Sequence, residues 1–518
     1  MIFYNKIIKM ISQEKIKTIN TLLEKHGLKN AWVNVLAKKI KSSGSKYNYI
    51  LKDPFFSAAI DIDADLLEGL TMGEVSILYE YSLAYNNRDK RSEEGQYFTP
   101  DDVAQLMSKK SDMFPSGVWV DPCCGVGNLS YWLIKRQKNK EDFLLNNIYF
   151  IDKDELALFI AKTLLTLEFQ DKKDNLFACL EKKFILADFL EAENLPSYDY
   201  AILNPPYVST NKDIKFDTYK TQNTYAYFIE KIIKTTNGFI SISPQSFTNS
   251  PAYEEFRKLL IDKFNKLFIY LFDNVPANVF KGIKFGSKNT NKANSTRAGI
   301  IVAIQTKSGE KDHYITPLLR WRATEREKLF NDLDLFTAKI ELSKEIFPKV
   351  EKELVGLYKK VVSLPKKLED ITQTDDTRYS LQIPSTPRYF ISALKKPVER
   401  TSFRTLNFNN QEDFNLAYLI LNSSYMYWWW RVNDGGMTIS EKTLLSLPIP
   451  EKININESVV KALEASEAEN KVFKMNAGKL NGNVKHNFDL IKKINNLMFP
   501  QFAENLLRVH RNSIFETI

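Results

Sequence analysis

Residues 200–207 read Tyr-Ala-Ile-Leu-Asn-Pro-Pro-Tyr. The apolar run Tyr200–Leu203 has the length and bulk of a buried strand. It stops in an amide, two prolines and an aromatic ring. Each proline fixes φ and removes a backbone donor, so the exit from the strand is rigid and rich in acceptors. The Asn204 side-chain oxygen and the Pro205 carbonyl can accept from an incoming amino group, and the Tyr207 ring can stack on the planar group that carries it. The same residues also fit an ordinary strand-to-turn exit. The neighbouring strands decide between the two readings.

Outward from this run, strands and helices alternate over about 115–305. The pattern predicts strands at Val118–Val120, Ile148–Ile151, Phe184–Leu186, Tyr200–Leu203, Gly238–Ile242, Leu267–Leu271 and Gly299–Ile304. Helices are predicted between them at Leu129–Arg136, Glu155–Leu165, Tyr225–Lys234 and Tyr253–Phe264. This rhythm implies an α/β fold with a doubly wound, Rossmann-like sheet and ligands at the carboxyl ends of its strands.

Those strand ends carry polar residues in series. Asp121-Pro122-Cys123-Cys124-Gly125-Val126-Gly127-Asn128 leaves the first strand and enters a helix. Gly125 and Gly127 let backbone approach a ligand closely. The run is not Gly-x-Gly-x-x-Gly, and an acid directly before the loop suits an ammonium group better than a pyrophosphate. Asp152 ends the second strand, where an acid takes ribose hydroxyls. Asp154, two residues on, competes for that role. Asp188 follows the third strand and can accept from an adenine amine, and Asn204–Tyr207 follow the fourth. Any one strand-end acid can be a helix cap; four polar exits on one sheet edge are poorly explained by capping alone.

The ordered set resembles the S-adenosylmethionine-dependent amino-methyltransferases of DNA, in particular the gamma-type adenine-N6 enzymes of restriction-modification systems. The likeness covers roughly 90–305. Gly95–Pro100, with Tyr97, Thr99 and Pro100, is similar to their first cofactor motif, which precedes the Gly-rich loop in that type. The resemblance implies that Asp121, Cys123, Gly125 and Gly127 belong to the methionine-binding loop, Asp152 takes the ribose and Asp188 the adenine of the cofactor. Asn204, Pro205, Pro206 and Tyr207 become the catalytic tetrapeptide, with Asn204 also beside the cofactor. The implied reaction is methylation of the N6 amine of an adenine flipped out of double-stranded DNA. Asn274–Lys281 is similar to the segment supplying an opposing aromatic face, which would set Phe280 across the base from Tyr207; Phe280 equally fits a core position. Cys123 and Cys124 depart from the small residues usual in the loop and are assigned no chemistry.

The rest of the chain sets the frame. At 518 residues it suggests about two to four domains. The expected division is a helical region at 1–90, the methyltransferase domain at 91–305, a mixed α+β target-recognition domain at 306–455 and a helical tail at 456–518. Lys281–Arg297 is a polar, basic segment too long for an idle turn. Leu421–Ser424, Trp428–Trp430 and Leu447–Pro450 resemble the end of the family's target-recognition domains. Three consecutive tryptophans should not all face one core, so at least one is open to a partner, while packing is the better reading of each taken singly. An excess of 72 Lys and Arg over 63 Asp and Glu suits a polyanionic partner. Three cysteines give no disulfide framework, and four scattered histidines with no Cys-x-x-Cys give no zinc site. No apolar run has the length of a membrane span, and the first residues lack a signal-peptide core, so the cytoplasm is the expected location. Family habit implies a cognate restriction endonuclease as partner. The competing readings are a methyltransferase acting on RNA, a protein glutamine or cytosine N4, a non-enzymatic DNA-binding subunit, and a nicotinamide dehydrogenase.

Overall fold

A computed structural model describes residues 11–86, 99–280 and 296–517, apart from the single positions 388, 435, 437, 452, 454 and 477. Tyr97, the start of its motif and most of the 281–297 segment lie outside the described residues. Internal contacts divide the chain into two units. The first runs to Ile269 and takes in Asn278–His313 and Ser343–Glu345; the second holds Tyr270–Ala277, Tyr314–Leu342 and everything from Ile346 onward.

The first unit is built on the doubly wound sheet that the alternation predicts. Its strands are β1 (Trp119–Asp121), β2 (Ile148–Asp152), β3 (Phe184–Leu186), β4 (Tyr200–Leu203), β5 (Gly238–Pro244), β6 (Lys266–Phe272) and β7 (Ala298–Ile304). They lie in the order β3-β2-β1-β4-β5-β7-β6, with β6 leaving the unit at Ile269. The first five neighbours are parallel, whereas β7 runs antiparallel to β5 with Ser241 opposite Ile301. β4 and β1 are buried along their whole length, which is why they read as continuous apolar runs rather than alternating ones. The strand order reverses between β1 and β4, so the crevice of the sheet opens at their carboxyl ends.

Helices fall close to their expected places, at Asn128–Arg136, Glu155–Phe169, Thr224–Thr235 and Glu254–Lys263. Pro100 is the N-cap residue of the helix Asp101–Lys110. The helices Gln13–Ser43 and Met72–Asn86 belong to the same unit as the sheet. Their buried Trp32, Leu36, Val75 and Leu78 share one apolar cluster with Leu156, Phe159 and Ile160 of the helix after β2. Tyr47 Oη donates to the Leu167 carbonyl at 3.0 Å and Tyr79 Oη to Asp154 Oδ2 at 2.7 Å, fixing these helices beside the strand ends.

The second unit is mixed α+β. It holds the antiparallel pair β8 (Asp312–Leu319) and β9 (Ala338–Lys339), with Tyr314 opposite Lys339. A three-stranded sheet follows, β10 (Thr372–Gln373), β11 (Ser380–Pro384) and β12 (Phe403–Phe408), in the order β10-β12-β11. Two expectations are corrected here. The three tryptophans are all buried, because the helix Ser424–Asn433 is apolar on every side and is packed on every side. Trp428 Nε1 donates to Glu351 and Trp429 Nε1 to the Thr443 carbonyl, so neither is left for a partner. The tail is not wholly helical: after the helix Glu457–Glu469, β13 (Lys471–Asn476) and β14 (Lys479–Val484) form a hairpin. Gly478, at φ +78°, takes the left-handed position that so tight a turn requires.

Candidate active site

The carboxyl ends of β1, β2, β3 and β4 meet around a cavity of about 330 Å3. Asp121, Cys123, Gly125, Asp152, Asp188, Asn204, Pro206 and Thr99 all line it. Thus one sheet edge brings together most of the residues that the sequence singled out.

Asp121 closes β1 and is 1% exposed. Its Oδ2 accepts from Ser130 Oγ at 2.7 Å, while its Oδ1 is buried with no hydrogen-bond partner. Burial raises its pKa from 3.8 to about 7; the Ser130 hydroxyl works against that rise and the nearby Asp152 charge adds to it. A carboxylate held this way is short of a cation.

The loop after Asp121 is shaped by its glycines. Gly125 and Gly127 both have positive φ, +53° and +89°. A Cβ on Gly127 would come 3.2 Å from the Ala161 Cβ, so this glycine also allows the helix after β2 to approach. The Gly125 N–H donates to Asp152 Oδ2 at 2.7 Å, locking the loop to the end of β2. Burial pushes the Asp152 carboxyl up, and burial pushes up the thiols of Cys123 and Cys124, which therefore stay protonated.

Asp152 and Asp154 both line the cavity but have different partners. Asp154 Oδ1 caps the helix Glu155–Phe169 by accepting from Leu156 and Ala157 at 3.0 and 3.1 Å, and its Oδ2 takes the Tyr79 hydroxyl. Asp152 instead accepts from the loop at Gly125 N–H through Oδ2 and from the Asp154 N–H through Oδ1 at 3.0 Å. Asp188 is exposed, and its Oδ1 accepts from the Leu190 N–H at 2.9 Å.

Asn204 is clamped at both ends of its amide. Its Nδ2 donates to Thr99 Oγ1 at 2.8 Å. Thr99 is in turn fixed by Asn128 Nδ2, which donates to the Thr99 carbonyl at 2.8 Å. The Tyr207 hydroxyl lies 2.6 Å from Asn204 Oδ1 and 3.0 Å from the Ile242 carbonyl, which share its one proton. A carbonyl oxygen has two lone pairs and can accept more than one hydrogen bond. Thr224 Oγ1 donates to the Pro206 carbonyl at 2.6 Å and steadies the turn. Phe280 is buried, with its ring 6.2 Å from that of Tyr207 and inclined by 66°. The two rings are neighbours set edge to face. A base held flat between them requires one ring to turn.

Several lining residues escaped the sequence. Ser76, Tyr79 and Glu80 reach the cavity from the helix Met72–Asn86. Their i, i+3, i+4 spacing on one face was the available signal. Phe189, next to Asp188, is 2% exposed and stacks on Phe228 at 5.4 Å. Lys231 Nζ holds the Phe189 and Ala192 carbonyls at 2.5 and 2.6 Å and so fixes the segment after β3. Among the described residues no cluster of His, Cys, Asp and Glu could hold a metal ion, and no helix is long and apolar enough to cross a membrane.

A family model described as N-6 DNA Methylase matches residues 71–308. The Type II methyltransferase M.VspI of Vibrio sp. (strain 343) is 30% identical over 200 residues, 36% of this chain and 44% of its own length. The Type II methyltransferase M.BsuBI of Bacillus subtilis is 24% identical over 209 residues, 36% of this chain and 40% of its own. The chain thus spans less than half the length of these curated relatives. A nuclease-deletion mutant of the Type ISP restriction-modification enzyme LlaGI, solved with a DNA substrate mimic, shares 14% identity at a TM-score of 0.44, over 74% of this chain and 39% of that one. The family match contains the Gly-rich loop, Asp152, Asp188 and Asn204–Tyr207, so over residues 71–308 this chain is similar to the N-6 DNA methylases.

Proposed function

We propose that this chain transfers a methyl group from S-adenosylmethionine to the N6 amine of an adenine flipped out of double-stranded DNA. The observation that carries the reading is the shared cavity: the clamped Asn204 borders the same space as the unpartnered Asp121 oxygen. The residues fit the cofactor. Asp121 Oδ1 suits its ammonium group, Asp152 its ribose hydroxyls, and the Asp188–Phe189 pair its adenine ring and amine. Thr99 borders the cavity, and Tyr97 and Pro100 belong to the same motif. When bound, S-adenosylmethionine supplies an electrophilic methyl group.

The chain's own residues do the rest. An adenine within a duplex must leave the stack to reach such a cavity. The Tyr207 ring is fixed through its hydroxyl and offers a stacking face worth roughly 1–3 kcal/mol. Asn204 Oδ1 and the Pro205 carbonyl accept the two amine hydrogens. This turns the nitrogen lone pair out of conjugation and stabilises the positive charge that develops on nitrogen. Holding the amine in line for attack supplies most of the remaining acceleration. The alkylated amine is acidic enough to lose its proton without a dedicated base. Residues 306–455 are the proposed reader of the DNA sequence, and a cognate restriction endonuclease is the proposed partner.

Asn204→Ala removes the principal acceptor and should abolish methyl transfer while leaving cofactor binding within a few-fold of wild type. Single-molecule sequencing of DNA from cells expressing either form reads the modified base and its sequence context together. Equal N6-adenine modification in the two strains would sink the assignment of Asn204. Modification confined to cytosine would redirect the substrate to the N4 amine.

A further inference from the structure

The second unit holds a cleft of about 160 Å3 with charge that the methyl-transfer chemistry does not use. Six cationic side chains line it, Arg320, Lys349, Lys352, Arg431, Arg508 and Arg511, against two carboxylates, Glu351 and Glu353. Much of the buried charge is already committed. Asp273, 2% exposed, takes Arg320 Nε at 3.0 Å and Arg431 Nη2 at 2.9 Å, one carboxylate between two guanidinium groups. Glu351 accepts from Trp428 Nε1 at 2.9 Å. Arg508 and Lys352 lie exposed on the cleft wall, and the Nε of Arg511 is buried with no hydrogen-bond partner.

Cations therefore outnumber carboxylates along the cleft, with the apolar Leu354 and Val509 beside them. Burial pushes the Arg511 pKa down and the crowding by the nearby Arg508 charge adds to it, while Glu353, Glu351 and Glu516 oppose both. An anion relieves that crowding. The planar, forked donors of arginine match a tetrahedral oxyanion through paired hydrogen bonds better than a lysine cluster would.

We propose that this cleft binds a phosphate group, held by Arg508 and Arg511 with Lys352 at its edge. Two sources share that chemistry: a backbone phosphate of nucleic acid, and a free phosphate or small phosphorylated molecule. The site stands on the second unit's own residues; its nucleic-acid source alone rests on the function proposed above.

The test uses the full chain with Arg508→Gln and Arg511→Gln. Thermal melting is followed against inorganic phosphate, with sodium chloride matched for ionic strength, and affinity for a duplex is measured across salt concentrations. Unchanged cofactor binding in each variant shows that the chain still folds. Wild type should be stabilised by phosphate beyond the chloride control, and Arg508→Gln should lose most of that shift. A simultaneous fall of about one in the log–log salt slope for the duplex assigns the source as the nucleic-acid backbone. Loss of the melting shift with an unchanged slope assigns it to free phosphate. If wild type shows no phosphate shift and the slope stays unchanged, or if both variants keep the full shift, the proposal is overturned. A chain that binds no duplex at all removes the DNA reading yet leaves the melting arm decisive.

Discussion

The sharpest prediction concerns Asp121. Its pKa rises from the ordinary 3.8 to about 7 because the carboxyl is buried, with one oxygen on Ser130 and the other on nothing. At about 1.4 kcal/mol per pKa unit, ionising it in the folded chain costs about 4 kcal/mol relative to the unfolded chain. The folded pKa lies above the unfolded one, so this contribution to stability is full below about pH 4 and is lost as pH rises through 7. A bound ammonium group reverses the balance, because it needs the carboxylate. At about pH 6 only about a tenth of Asp121 is ionised, so S-adenosylmethionine should bind nearly tenfold more weakly than at about pH 7.5. Above about pH 8 the cofactor's own amine begins to lose its charge, so affinity peaks between about 7 and 8. Asp121→Asn keeps a partner for Ser130 but cannot ionise. It should melt at a higher temperature than wild type at pH 8 without cofactor, bind cofactor weakly, and show no dependence on pH between 6 and 7.5. Calorimetric titration with the cofactor across this range reads both effects. A flat wild-type affinity, or an asparagine variant that keeps the wild-type profile, refutes the reasoning.

Further outcomes follow from other contacts. Thr99→Val removes the hydroxyl that accepts from Asn204 Nδ2, costs about 1–3 kcal/mol of amide orientation and should lower kcat roughly 5–100-fold, with Thr99→Ser restoring it in steady-state assays. The two acids after β2 should separate in paired measurements: Asp152→Asn weakens cofactor binding, whereas Asp154→Ala loses cap strength of about 1 kcal/mol and lowers Tm by a few degrees. His486, bonded to Ser466 Oγ at 2.9 Å, is held by burial at a pKa of about 4. Its folded pKa lies below the unfolded 6.5, so the stability it lends is present above that pH and is lost as pH falls through 4. Acid melting should show a larger loss in wild type than in His486→Gln, which keeps His510, also held by burial at about 4.

The sheet was legible because its inner strands are buried on both faces and read as short apolar runs, β4 to the residue; the edge strand β3 is only half-buried but keeps the same apolar run. Strand ends were legible for the same reason: a polar residue directly after such a run sits on the sheet edge. The antiparallel course of β7 left no trace in the alternation, since strand direction is set by the path of the chain between strands. Side-chain partners were also hidden. Asp152 and Asp154 are equivalent in sequence, and only the helix that begins at Glu155 makes one of them a cap. The contribution of Ser76, Tyr79 and Glu80 depends on how the helix Met72–Asn86 packs, information that a local pattern lacks. The hairpin at 471–484 is short and lysine-rich, with Phe473 and Met475 exposed, so its alternation carried no buried face to recognise.

The central claim is tested most directly by incubating the purified chain with methyl-labelled S-adenosylmethionine and duplex DNA, digesting the DNA to nucleosides and identifying the labelled one by mass spectrometry. The account predicts label in N6-methyladenine for wild type and none for Asn204→Ala, with cofactor binding retained. Label in another nucleoside, no label in DNA, or full labelling by the alanine variant would contradict it.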